Sequence, residues 1–363
     1  MTTTDKNIEG LQYLRGFAAC AVVLDHAAAI TSQPEYYGGT AHPFLLAGWV
    51  GVPIFFVISG FIITIVSLRS DLTPRLNVGD FFWRRFARIV PFLWVCIVAY
   101  VAISYFGTGN FDWLMTLRTV TLWPLGDLKP NVTWTLRVEF LFYILFALTV
   151  LSSRRGWWVM AAWVASPLLI AAVETWVPSV LTVIPEHARG LLRFATTIHN
   201  LEFAAGLLLG LLWLSRDRLP STKGGIYTVL GMTVAVMTLV WLADYKSSPD
   251  LVQAFVLTAV SAAAVYAAIT VSPSKGLTGR IGSILGDASY SIYLLHNLAI
   301  LVVLEVMAKV GNPVPVVALV PFLFAASLVL GVLAHWYIEA PLVRFVRNLP
   351  SRHKHKAQLA SAP

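Results

Sequence analysis

The sequence predicts an all-α polytopic membrane protein with about ten transmembrane helices, on three observations. Its 363 residues are 58% hydrophobic and only 12% charged, with a mean hydropathy of +0.74, whereas soluble domains are about a quarter charged. Apolar runs close to the roughly 20 residues that cross a bilayer recur along nearly the whole chain. Lys and Arg gather in alternate connecting segments, as the positive-inside rule requires.

The first run, 11–31, follows a short polar head and carries Arg15 and His26 within it. It lacks a clear small-residue cleavage site, so it reads as a retained helix rather than a signal peptide. The second, 47–68, contains "GWVGVPIFFVISGFII". There Gly51, Ser59 and Gly60 suit close helix packing in lipid, and Ser59 is also a candidate nucleophile. The third, 88–106, opens behind "FFWRRFARIVP", and the fourth, 134–152, begins within "TWTLRVEFLFYIL", which holds Trp134, Arg137, Glu139 and Tyr143. Runs at 157–174, 196–215, 225–243, 251–272, 287–309 and 314–338 complete the set, with His296 in the ninth. The chain thus reads as one membrane domain, 1–347, followed by a basic tail, 348–363, expected to be disordered.

Orientation follows from the cations. With the N-terminus inside, 18 of the 26 Lys and Arg residues fall in inner segments: Lys6, Arg69, Arg75, Arg84, Arg85, Arg88, Arg154, Arg155, Arg216, Arg218, Lys223, Lys275, Arg280, Arg344, Arg347, Arg352, Lys354 and Lys356. Both termini are then cytoplasmic. The net charge of +8 is explained by this topology rather than by a nucleic-acid surface. Cys20 and Cys96 lie inside apolar runs and read as small buried hydrophobes, and no metal site is expected.

The intramembrane charges call for an explanation, because an ionisable group facing hydrocarbon costs several kcal/mol and such groups usually face the protein interior. Arg15 and His26 are 11 residues apart, so they share one helix face about 16 Å apart along the axis. The alternatives are a snorkelling anchor for Arg15 and a hydrogen-bonded structural role for His26. Glu139 is expected at the depth of His26, where a carboxylate would orient an imidazole acting as a general base. Tyr143, four residues on, shares its face. Otherwise Glu139 caps backbone amides. Arg84, Arg85 and Arg88 form an interfacial cluster; guanidinium forks match phosphate oxygens, and such clusters also serve topology or hold anionic lipid. His296 reads equally as site-lining or structural. Trp113, Trp123 and Trp176 lie on outer loops, where they suit sugar stacking or an aromatic belt.

The ordered set "LQYLRGFAACAVVLDH", "GWVGVPIFFVISGFII", "RRFARIVP", "WTLRVEFLFY" and "YSIYLLH" resembles the membrane acyltransferase 3 family from residue 11 to about 347, and "WYIEAPLVRFVR" is similar to its closing helix. The resemblance implies transfer of an acyl group, commonly acetyl, from cytoplasmic acyl-CoA as co-substrate to a carbohydrate or other hydroxyl acceptor, in a bacterial cytoplasmic membrane. Acceptors in the family include O-antigen, exopolysaccharide, peptidoglycan and macrolides. It implies His26 as the essential histidine, Glu139 as the helix-borne carboxylate, and Arg15, Arg85 and Arg88 as acyl-CoA-binding groups; Trp134, Tyr143, His296 and Ser59 are further candidates to line the site. Many relatives carry a further esterase-like domain, for which this chain is expected to be too short, favouring a stand-alone enzyme. The rival classes are a transporter or flippase for a lipid-linked sugar, using the same charges as a pathway, and a membrane scaffold.

Overall fold

The computed structural model describes residues 8–215, 225–244, 250–311 and 314–349. Lys6, Arg216, Arg218, Lys223, Lys246, Arg352, Lys354 and Lys356, with the tail from Pro350, lie outside the described residues. Among the described residues, ten helical segments are long and apolar enough to cross a membrane. Their main helices are α1 (Glu9–Thr31), α2 (Gly51–Ser67), α3 (Val78–Thr108), α4 (Trp134–Thr149), α5 (Gly156–Trp176), α6 (His199–Ser215), α7 (Gly225–Leu242), α8 (Leu251–Thr270), α9 (Ser289–Lys309) and α10 (Val316–Ala334). The protein is an all-α polytopic membrane protein, as the hydropathy pattern predicts.

Three departures from the predicted spans matter for the site. Helix α3 begins ten residues before the apolar run because Asn77 caps it: its Oδ1 accepts from the Asp80 backbone N–H at 2.7 Å, and Asp80 places a negative charge in the first turn, where the helix dipole favours it. Arg84, Arg85 and Arg88 therefore stand on helix rather than on a loop. Before α9, the glycine-rich stretch Gly276–Asp287 is helical, too short and polar to register as a span. Helix α10 continues through a π turn, His335–Glu339, into the basic helix Ala340–Arg347; such turns change which side chains face inward.

Packing centres on α1, which contacts α2, α9, α10 and the Gly276–Asp287 helix. Helices α2 and α6 cross at the backbone through a pair of glycines. A Cβ on Gly60 would lie 2.3 Å from the Phe203 carbonyl oxygen, and one on Gly206 would lie 2.0 Å from that of Val57. This is the close packing that small residues permit where lipid supplies no hydrophobic drive. Beside the crossing, Phe142 of α4 stacks on Phe203 of α6 with ring centroids 4.3 Å apart, tying α4 to the same unit. The contact holds Ser59, next to Gly60, against α4.

Candidate active site

Because successive spans alternate in direction, the starts of α1, α3 and α9 and the end of the α10 segment share one face of the bundle. A cavity of about 1010 Å³ opens there, at the upper end of the range for small-molecule sites, about 300–1,000 Å³. Five guanidinium groups line it, those of Arg15, Arg84, Arg85, Arg88 and Arg347, against two carboxylates, Asp80 and Glu139. The balance favours a multiply charged anion.

Each of the central arginines is held differently. Arg15 donates to Gln12 Oε1 at 3.2 Å and to Ser289 Oγ at 3.0 Å, so it is anchored at the base of α9 and faces the cavity. Arg88 is ion-paired with Glu339. Arg85 lies over the rings of Phe81 and Tyr143, 5.9 Å from each centroid, and its buried Nε has no hydrogen-bond partner among the described residues. That leaves Arg85 with donor capacity for a ligand, since a buried guanidinium N–H left unmade is costly.

Glu339, which the sequence does not single out, anchors the arginine cluster. It is fully buried at the end of the π turn, and besides Arg88 it accepts from Ser291 Oγ at 2.5 Å and pairs with His335 Nδ1 at 2.9 Å. The available signal was a single acid directly after the last apolar run, 314–338, at a depth where lipid would reject it unless it had partners.

Glu139 lies on the cavity wall, accepting from both Ser59 Oγ and Tyr143 Oη. The expected contact with His26 is not made. His26 pairs with His296 of α9, Nδ1 to Nε2 at 2.7 Å, because α1 packs alongside α9 while α2 presents Ser59 to α4. Glu139 also lies nearer the arginine face than expected: Thr135, one turn further out on α4, meets Tyr293, itself one turn short of His296, and Glu139 lines the cavity with Arg15.

The histidine pair has a defined proton order. His296 Nδ1 lies 3.2 Å from the Ile292 carbonyl, which can only accept, so Nδ1 carries the hydrogen and Nε2 of the neutral ring offers a lone pair. His26 Nδ1 then donates to it, which leaves His26 Nε2 unprotonated. Neither ring lines the large cavity. Its nearest lining residue is Tyr293, one turn before His296 and 5.9 Å from it between ring centroids. Tyr293 Oη lies 3.1 Å from Thr135 Oγ1, and its ring meets Phe55 edge-on at 6.0 Å, so these two rings partition the cavity from the histidines. Trp134 stands apart from the large cavity, at a second and smaller one beside His199 and Glu202.

Fold and site together define an integral membrane protein with an arginine-lined intramembrane cavity and, near it, a pair of hydrogen-bonded histidines, one of them fully buried. The chain belongs to the acyltransferase 3 family, whose acyltransferase domain matches residues 8–336, and it is an acyltransferase. It is 31% identical over 323 residues to the exopolysaccharide production protein ExoZ of Rhizobium meliloti, covering 84% of this chain and 92% of that one. It is 25% identical to the acyltransferase MdmB of Streptomyces mycarofaciens, over 93% of this chain and 92% of that one. It is also 24% identical to the peptidoglycan O-acetyltransferase OatA of Listeria monocytogenes, over 93% of this chain and 56% of that longer protein. No solved structure gives a significant match.

Proposed function

We propose that the protein transfers an acyl group, acetyl first among them, from acyl-CoA to a hydroxyl of a carbohydrate acceptor, either a cell-surface polysaccharide or its lipid-linked precursor. The observation that carries this reading is the arginine-lined cavity that runs from one membrane face toward the His26–His296 pair. The names of the exopolysaccharide and peptidoglycan relatives support a sugar acceptor. Positive-inside bias makes the arginine face cytoplasmic, the side on which acyl-CoA is found. The CoA phosphates sit among Arg85, Arg88 and Arg15, and the pantetheine arm extends past Glu139 to the Tyr293–Phe55 partition.

The chemistry is direct transfer. His26 Nε2, whose lone pair is kept free by the hydrogen bond from Nδ1 to His296, takes the proton of the acceptor hydroxyl. The alkoxide oxygen bonds to the thioester carbonyl carbon, the carbon–sulfur bond breaks, and the CoA thiolate recovers the proton from the His26 imidazolium. His296 is a positioning residue that fixes the tautomer. Glu139, already accepting from Ser59 and Tyr143, shapes the cavity wall and balances its charge.

The test is transfer from radiolabelled acetyl-CoA by purified protein in liposomes, with a panel of lipid-linked sugars and a macrolide as acceptors. The expected result is sugar acetylation that disappears in folded His26→Ala, falls by about two orders of magnitude in His296→Ala as a general-base step does when impaired, and leaves no label on the protein when acceptor is withheld. Full activity in His26→Ala overturns the mechanism, label retained on the protein replaces direct transfer with an acyl-enzyme, and macrolide acetylation alone replaces the acceptor class. A folded protein that neither binds CoA nor transfers acetyl returns the question to the transporter.

A further inference from the structure

The histidine–carboxylate contact expected at His26 occurs elsewhere. His199 opens α6, and its Nδ1 lies 2.9 Å from Glu202 Oε2. Because the carboxylate only accepts, Nδ1 carries the hydrogen, and in the neutral ring Nε2 is left as an acceptor. Glu202 is 3% exposed. Taking a carboxylate out of water costs several kcal/mol, which one imidazole repays incompletely. A purely packing role would be met by an apolar side chain at no such cost.

The surroundings suit a ligand. The His199 ring lies 5.3 Å from Trp134 and 4.8 Å from Phe56 between centroids. With Trp49, Val52 and Leu257, the dyad and Trp134 line a second cavity of about 60 Å³. Trp49 precedes α2, Trp134 opens α4 and His199 opens α6, so this cavity lies toward the face opposite the arginines. Val52 lines both cavities, and Phe56, which packs on His199, lines the large one. A sugar has apolar C–H faces that stack on indole and hydroxyls that seek an acceptor, while the volume admits a hydroxyl or hydroxymethyl arm rather than a whole ring.

We propose that His199, Glu202, Trp134 and Trp49 form the binding site for the carbohydrate acceptor, entered from the face opposite the arginine-lined cavity. His199 Nε2 accepts a hydrogen bond from one sugar hydroxyl, Glu202 fixes the tautomer, and the tryptophans receive the sugar's apolar face. The two cavities then hold the donor and one arm of the acceptor on either side of Val52 and Phe56. This rests on the carbohydrate-acceptor reading above.

The experiment compares His199→Gln, Glu202→Gln, Trp134→Ala and Trp134→Phe with the wild type, using the best acceptor of the lipid-linked sugar panel. We expect acceptor KM to rise at least tenfold in the first three and less in Trp134→Phe, with acetyl-CoA binding and its salt sensitivity unchanged. Acceptor KM within twofold of wild type in folded variants overturns the inference and leaves the dyad a structural contact. A parallel rise in the KM for acetyl-CoA does the same. Should a variant fail to fold, a diazirine-bearing methyl glucoside is photolysed with the wild-type protein. Labelling of the segments around residues 134 and 199–202, suppressed by excess lipid-linked sugar, supports the site, and labelling confined to other segments refutes it. If the wild type acetylates no sugar at all, the carbohydrate reading itself has failed, an outcome distinct from normal transfer with unchanged KM.

Discussion

Gly206→Ala is the most direct test of the packing that holds the candidate site. The added methyl carbon would sit 2.0 Å from the Val57 carbonyl oxygen and 2.8 Å from the Phe61 nitrogen. Close carbon–oxygen contacts at helix interfaces are about 3.3–3.6 Å, so α2 and α6 must separate by about 1 Å or more. Both obstructing atoms are backbone, and no side chain can swing aside to relieve the clash. Overpacking of this kind costs about 1–3 kcal/mol, against which alanine's better helix propensity returns at most about 1 kcal/mol. The clash wins. Gly60→Ala meets the same crossing from the other side, at 2.3 Å from the Phe203 carbonyl, so once one methyl has parted the helices the second costs less. The double variant is expected to fall short of the sum of the singles. Gly231→Ala, whose Cβ meets nothing within 4 Å, is the control and should be neutral or slightly stabilising. The assay is thermal unfolding in detergent followed by tryptophan fluorescence, with acetyl transfer measured in parallel, since parting α2 from α6 also moves Ser59 from Glu139 and Phe56 from His199. Equal melting of Gly206→Ala and Gly231→Ala, or strict additivity in the double variant, would refute the reasoning.

Further expectations concern the arginines and their partners. Arg88→Met leaves the fully buried Glu339 with Ser291 and His335 as its remaining partners and should cost less than the about 3–5 kcal/mol of an uncompensated buried charge, read as a lowered detergent melting temperature; Glu339→Gln combined with Arg88→Met should recover part of that loss, and absence of recovery would show that the pair is not coupled. Arg85→Ala should weaken CoA binding about tenfold or more and reduce its salt dependence, as loss of a charge-assisted phosphate contact predicts, with little change in melting; unaltered binding by titration would remove Arg85 from the donor site. Asn77→Ala removes the cap of α3, costing about 1 kcal/mol, and should speed amide exchange over residues 78–85 while leaving the rest of α3 protected. Tyr293→Phe, which loses the contact with Thr135 but keeps the ring partition, should retain most transfer activity, whereas Tyr293→Ala should raise acetyl-CoA hydrolysis without acceptor; equal behaviour of the two in that assay would deny Tyr293 a partitioning role.

Sequence by itself determined the membrane class, the helical spans and the family, because length and apolarity are properties of a single segment and bilayer thickness converts them into structure. It also singled out Arg15 and Glu139 as interior groups, since charge in a spanning segment is costly wherever it points, and Arg85 and Arg88 as an interfacial cluster suited to phosphate; these four do line one cavity. Pairing was another matter. His26 and Glu139 were expected at one depth, but depth and partners depend on how each helix is shifted, which helices are neighbours and how each is rotated, and those are decided by contacts such as the Gly60–Gly206 crossing between segments far apart in the chain. Tertiary structure alone therefore assigned His296 to His26, set Ser59 on Glu139, and brought Glu339 from the end of the last span to Arg88, whereas Tyr143, four residues on in the same helix, was expected on Glu139 from the sequence. The same holds for the second dyad: His199 and Glu202 are plain in the sequence, yet their meaning came only when α2 and α4 supplied aromatic walls around them.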